Sequence, residues 1–205
     1  MDKSVQRLQL TAWGLAAIVC ALAFISWLQH THLSNITTYD VFPLLGLFAF
    51  SLMWTHYMSG VLERFIPARQ DALQKFFTIT SGIVLGLILA HPLLLEWQLW
   101  RDGLGLPPDS VFALYADTAG RGAVILGSVS LMIFLAFEAK RFFGQKSWWK
   151  YIEYANVVAM FAILYHAYVL GGEIRGWYQG VWIFYGLSLI AALTYGEINK
   201  RRKHE

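Results

Sequence analysis

The sequence predicts an all-α membrane protein, a bundle of six transmembrane helices with both termini in the cytoplasm. Three observations carry this. Of 205 residues, 57% are hydrophobic and only 14% charged, and the charges gather at segment ends rather than along one helical face. The long apolar runs reach the roughly 20 residues that a helix needs to cross a bilayer. Thirteen of the sixteen Lys and Arg fall on alternate connections, which sets one side of the bundle as cytoplasmic.

The elements follow in order. The expected spans cover residues 10–29, 43–62, 76–96, 120–138, 151–171 and 179–198. Lys3 and Arg7 precede the first; the run that follows is too long for the core of a cleaved signal peptide, so it reads as a retained helix. Arg64, Arg69 and Lys75 join the second span to the third, and Lys140, Arg141, Lys146 and Lys150 join the fourth to the fifth. The chain closes on Lys200, Arg201, Arg202 and Lys203, whereas the three other connections share only Arg101, Arg121 and Arg175. An odd number of spans would break this alternation. The longest outer connection, 97–119, carries Gly103, Gly105, Pro107 and Pro108, which forbid a continuous helix, together with Asp102, Asp109 and Asp117. It reads as a cap over whatever lies below it or as a solvated connector.

Composition excludes several classes. The single cysteine, Cys20, rules out an internal disulfide, a cysteine zinc site and an iron–sulfur cluster held within the chain. A net charge of +3 does not point to nucleic acid, because the basic residues lie at membrane boundaries. The chain is expected to be one domain, 1–205, in the cell (cytoplasmic) membrane. Asn35-Ile36-Thr37 is a glycosylation triplet on the outer side, a pattern common by chance.

Chemistry centres on two histidines. His91 lies deep in FFTITSGIVLGLILAHPLLLE (residues 76–96), and His166 lies as deep in YIEYANVVAMFAILYHAYVLGG (151–172). Each is 15 residues past the expected start of its span, which at 1.5 Å per residue puts both about 22 Å in from the same face. An intramembrane imidazole is costly without a partner and is a functional candidate by default. Two imidazoles level on different helices suit axial ligation of one haem iron; they would equally serve as interhelical hydrogen-bond partners. Gly82 and Gly86 form a small-xxx-small face that would let a porphyrin or another helix approach. Pro92 removes the hydrogen bond to the carbonyl of Ile88 and bends the span beside His91. His30, His32 and His204 read as solvated or interfacial, and His56 in the second span, nearer the cytoplasm, is a poor ligand for the same iron.

The order of spans, the phrase LGLILAHPLLL and the pair Trp148-Trp149 followed by LYHAYVLGG together resemble the ferric reductase-like transmembrane domain family. That family includes the membrane halves of ferric reductases and NADPH oxidases and the haem subunit of a bacterial methionine sulfoxide reductase system. The resemblance runs from the second span onward. It implies haem b held near each membrane face by paired histidines on the third and fifth spans, with electrons carried across the membrane. His91 and His166 match the outer pair. The inner positions hold Phe77 and Glu153, so the second haem of the family is placed in doubt; Glu153 reads as an interfacial carboxylate paired with Lys150 or Arg64, and a displaced inner site at His56 and Glu153 is the alternative. Arg121 and Arg175, beside the spans nearest the outer haem, are candidates for neutralising its propionates, as is Arg101.

The expectation is therefore a membrane cytochrome b with one bis-histidine haem near the outer face. No soluble flavin or nicotinamide domain accompanies it, so a separate flavoprotein reductase or a quinol would supply electrons, with a bound flavin or quinone as a further cofactor. The alternative is a non-enzymatic transporter-like or assembly subunit with structural intramembrane histidines. Metal-ion transport is a third reading, weakened because the acids within spans, Glu138 and Glu153, lie near helix ends.

Overall fold

The computed structural model describes residues 3–65, 72–115, 117–143 and 148–202, and no strand occurs among them. Seven α-helices follow in order: α1 (Lys3–His30), α2 (Thr38–Phe65), α3 (Gln74–Arg101), the short α4 (Asp109–Leu114), α5 (Thr118–Phe143), α6 (Trp149–Leu170) and α7 (Tyr178–Arg202). A single 3-10 turn, Gly172–Ile174, links the last two. Each expected span falls within one long helix, except that α6 stops at Leu170, one residue short of its expected end. The helices overrun the spans because the apolar pattern marks only the stretch in hydrocarbon, while the backbone keeps its i→i−4 bonds beyond it.

Among the described residues, α1, α2, α3, α5 and α6 are long and apolar enough to cross a membrane. They make the chain a multi-pass membrane protein. The expected sixth span coincides with α7, which is long enough but more polar, with Gln179, Ser188, Thr194 and Glu197 along it. Of the basic residues behind the expected orientation, Arg69, Lys146 and Lys203 lie outside the described residues, as does His204.

The bundle is built from two helix pairs. Helices α2 and α3 pack along each other, and so do α5 and α6, while backbone contact between the two pairs is sparse among the described residues. Helix α1 lies against α2, and α7 closes the other flank of α2. An aromatic cluster holds α7 there: Phe50 packs on Trp182 with ring centroids 4.6 Å apart, and Trp54 packs on Tyr185 at 4.8 Å. Hydrogen bonds set the register, from Trp54 Nε1 to Ser188 Oγ (2.9 Å) and from Trp182 Nε1 to the carbonyl of Leu164 in α6 (3.0 Å). Without water to expel from lipid-facing surface, such packing and polar bonds are what hold membrane helices together. A space is left between the two pairs.

Between α3 and α5 the chain makes the irregular connection that its glycines and prolines require. Gly103 and Gly105 take φ of +79° and +82°, a region that side chains with a Cβ rarely enter. Tyr39 donates its hydroxyl to Asp102 (2.6 Å) and Ser110 to Glu96 (3.2 Å), tying this segment down over the end of the bundle.

A candidate cofactor site between two helix pairs

His91 and His166 line one cavity of about 630 Å³ between the helix pairs. Each histidine sits 17 residues in from the first residue of its helix, Gln74 for α3 and Trp149 for α6, so the two lie equally far along their helices. The volume lies within the roughly 300–1,000 Å³ typical of ligand and cofactor sites.

The two histidines are held by the same device. His91 Nδ1 lies 2.6 Å from the carbonyl oxygen of Phe42 in α2, and His166 Nδ1 lies 2.7 Å from that of Ala123 in α5. A carbonyl can only accept, so Nδ1 carries the proton in both rings and the lone pair of the neutral imidazole is on Nε2. Four residues beyond each accepting carbonyl stands a glycine, Gly46 in α2 and Gly127 in α5, and each imidazole rests against it. A Cβ on Gly46 would come within 3.0 Å of His91 Cε1, and one on Gly127 within 2.5 Å of His166 Nδ1. Each helix pair thus presents one imidazole on a glycine cradle, with its tautomer fixed by a backbone carbonyl. This is the outer-shell arrangement that orients a metal-ligating histidine and raises its basicity.

One end of the cavity is roofed by the connection between α3 and α5. Pro107, Pro108, Val111, Phe112 and Tyr115 all line it, so this segment covers that end of the cavity while residues 101–109 stay exposed on their other side. Burial, with the Glu173 carboxylate adding, pushes the Tyr115 phenol above its ordinary value. Pro92 and Ile88 line the wall beside His91, and α3 runs on through Pro92 without a break. On the opposite wall, Gly171 ends α6, its N–H bonded to the carbonyl of Ala167 at 2.7 Å.

Several expected site residues lie elsewhere. Gly82 and Gly86 are on the exposed face of α3, where an added Cβ would meet nothing within 4 Å. They are not the close-approach glycines; Gly46 and Gly127 are, because the histidines pack on the neighbouring helix of their own pair. Arg121 lies outside the cavity. Its Nε donates to the carbonyl of Tyr115 (3.1 Å) and its guanidinium lies over the Phe112 ring, so it braces the roof from the solvent side. Arg175 is exposed and does not line the cavity, and Arg101 lies over Trp97, 4.7 Å from the ring centroid. The ionisable groups that do reach the cavity, besides the histidines, are Glu96, Glu173, Tyr39 and Tyr115. His30 and His32 are exposed at the end of α1, as expected.

A second cavity of about 370 Å³ lies further along the same interface. It is lined by His56 of α2, by Glu138 of α5 and by Glu153 and Asn156 of α6. His56 and Glu153, the expected displaced inner site, therefore do share a cavity, with Phe77 edge-on to the His56 ring at 5.4 Å. Among the described residues, His56 is the one histidine lining it. Met53, Ile88 and Phe134 line both cavities and separate them by one layer of side chains. Among the described residues, no three His, Cys, Asp or Glu form a group that could hold a bare metal ion.

With Nε2 unprotonated on both rings and one cavity lined by both, His91 and His166 are residues that would be able to hold a haem iron. No protein-family model, no curated protein and no solved structure matches the chain.

Proposed function

We propose that the protein is a membrane cytochrome b in which His91 and His166 are the axial ligands of one haem. The observation that carries this reading is the matched pair of cradles: two imidazoles equally far along their helices, each Nδ1 bonded to a helix carbonyl, both lining one cavity. Structural histidines would also make such carbonyl bonds. What a purely structural role does not call for is that both such imidazoles line one cavity of cofactor size.

In this reading the helices α1, α2, α3, α5, α6 and α7 are six spans, both termini are cytoplasmic, and the roof of Pro107–Tyr115 faces outward. The haem lies near the outer face. A bis-histidine haem has no open coordination position and supplies one-electron transfer. The chain's own residues do the rest. Phe42 and Ala123 hold the imidazole tautomers through their carbonyls, Gly46 and Gly127 give the rings room, and the roof residues cover one end of the cavity. Among the described residues no arginine lines the cavity wall, where Glu96 and Glu173 stand, so haem propionates would take their counter-charge from solvent or from a partner. The electron donor in this reading is a flavoprotein reductase or a quinol.

The resemblance to the ferric reductase-like family adds to this reading, with the inner histidine positions replaced by Phe77 and Glu153. Absorbance tests it. Protein purified from haem-replete cells is expected to show a Soret band that shifts on reduction; colourless protein would favour a transporter-like or assembly subunit with structural histidines.

A further inference from the structure

We propose that the outward face of α6 is the interface of a homodimer, in which two copies of the chain, inserted the same way, pack α6 against α6. Tyr151, Tyr154, Val158, Phe161, Tyr165 and Tyr168 follow one another at alternating intervals of three and four residues along the helix. That is the a/d pattern of a heptad repeat, and it places all six on one stripe. The stripe faces away from the rest of the chain. His166, Ala159 and Met160, which turn into the bundle, lie on the other side of the helix at 3.6 residues per turn. The four tyrosines and Val158 are 50–68% exposed, and Phe161 is half-buried with its inner edge on the core.

Contact with lipid does not account for the whole stripe. Tyrosines are at home near the ends of a span, where the hydroxyl reaches water, and Tyr151, Tyr154 and Tyr168 stand near the ends of α6. Lys150 Nζ lies over the Tyr151 ring, 5.1 Å from its centroid, and the Tyr168 hydroxyl accepts from Gln179 Nε2 at 3.4 Å. Tyr165 is different. It lies 16 residues in from Trp149, and helical side chains lean toward the N-terminus, so its hydroxyl is directed to the middle of the membrane rather than to the nearer face. Among the described residues nothing bonds that hydroxyl. A hydroxyl unpaired in hydrocarbon carries a cost that a bond between helices removes. In a parallel pair about a two-fold axis, Tyr165 meets its counterpart in the other copy, and the two hydroxyls can bond.

The pattern selects a second copy as the partner. Knobs-into-holes packing needs the same repeat on both helices, and an identical helix carries it by construction. Tyr154, Phe161 and Tyr168 at d are bulky, and each would enter a hole bounded by the e residue of the other helix. At e stand Ala155, Ala162 and Val169, small enough to admit an aromatic ring. The area also suffices. With about 200 Å² to a tyrosine, these exposures leave roughly 100–140 Å² on each ring and about 500 Å² along the stripe. Two stripes together bury about 1,000 Å², the size at which a specific interface begins. The dimer does not depend on the haem: α6 turns His166 inward and the stripe outward, so cavity and interface lie on different sides of one helix.

The test counts copies of the fluorescently labelled full chain by single-molecule photobleaching in phosphatidylcholine vesicles, over a range of protein-to-lipid ratios. A monomer–dimer equilibrium is expected. Tyr165→Phe keeps the ring and removes the hydroxyl, and should weaken association about three- to tenfold, the equivalent of one hydrogen bond between membrane helices. Ala155→Phe/Ala162→Phe fills two of the holes and should weaken it more than about tenfold. Leu126→Phe, on the exposed face of α5, should change nothing. Thermal unfolding of each variant, expected to match the wild type's, separates lost association from lost fold. In a Cys20→Ser background, Val158→Cys should oxidise to a disulfide-linked dimer, and Ile183→Cys on the exposed face of α7 should not. The proposal is overturned if the wild type stays monomeric at every ratio, which would leave the stripe to lipid. It is overturned equally if Ile183→Cys cross-links as readily as Val158→Cys, or if Tyr165→Phe and the double variant both associate as the wild type does.

Discussion

Replacing Gly127 by alanine adds a single methyl group at the point where α5 carries the His166 ring. The new Cβ would lie 2.5 Å from Nδ1 and 2.6 Å from Cε1, against the 3.4 Å at which ordinary van der Waals contact begins. The ring must therefore retreat by roughly 0.9 Å, and at that displacement the 2.7 Å bond to the Ala123 carbonyl does not survive. A gain in helix propensity of up to about 1 kcal/mol opposes this. Against it stand about 1 kcal/mol for the lost hydrogen bond and about 1–3 kcal/mol for overpacking. The net loss of stability should lie between about 1 and 4 kcal/mol, which the unfolding measurement below reads directly. The loss at the iron should be larger in kind, since a ligand moved by nearly an ångström with its tautomer unfixed no longer meets the metal squarely. Gly46→Ala is the graded control: its Cβ would meet His91 Cε1 at 3.0 Å, so the ring gives by only a few tenths of an ångström. Gly82→Ala and Gly86→Ala meet nothing within 4 Å and should leave the site alone while stabilising α3. Haem content per chain, read from the pyridine haemochrome and set beside thermal unfolding, orders the series. The expected order of haem loss is Gly127→Ala, then Gly46→Ala, then no loss for the two α3 variants. Full haem content and an unshifted spectrum in Gly127→Ala would refute the cradle.

Two further outcomes follow from the roof and the end of α6. Arg121→Gln removes the bond to the Tyr115 carbonyl and the contact over Phe112, worth roughly 1 kcal/mol in so exposed a place. Amide hydrogen exchange over 111–115 should accelerate about fivefold with the haem spectrum unchanged; a changed spectrum would mean that Arg121 acts at the cofactor. Gly171→Ala would put a Cβ 2.6 Å from the carbonyl oxygen of Ala167 and 3.2 Å from Ile174 Cδ1, so the C-terminal cap of α6 must shift. It should lower the unfolding temperature by several degrees through a loss of about 1–2 kcal/mol, and a temperature equal to the wild type's would show that the cap relaxes freely.

Much of the fold was legible because membrane helices announce themselves by length and composition, and all six expected spans fall on long helices. The sixth differs in kind. Its aromatic and polar residues, Tyr178, Trp182, Tyr185 and Ser188, serve packing against α2 and α6, and that lowers its apolarity below that of the other five. The histidines were legible too, since an imbedded imidazole stands out against an apolar run. Their partners were not. A helix that is apolar all round carries no face preference, so nothing in the sequence says that His91 turns toward α2 and His166 toward α5. Gly82 and Gly86 drew notice because they share a helix with His91 at a familiar spacing, whereas Gly46 and Gly127 are single glycines in other spans. What links these two is a relation across helices: each lies four residues after the carbonyl that binds a histidine.

The roof shows the same limit from another side. Gly103, Gly105 and the two prolines mark an interrupted helix in the sequence, but only the folded chain shows Phe112 and Tyr115 turned into the cavity and Arg121 turned out of it. A charge near the end of a span looks equally suited to a propionate or to a backbone carbonyl; here it meets the carbonyl.

Haem stoichiometry in the wild type and in the two single histidine variants bears most directly on the central claim. One haem per chain is expected, low-spin and bis-imidazole by electron paramagnetic resonance, with that signal lost in both His91→Ala and His166→Ala and kept in His30→Ala. Colourless wild-type protein, or a bis-imidazole signal that survives in either His91→Ala or His166→Ala, would contradict it.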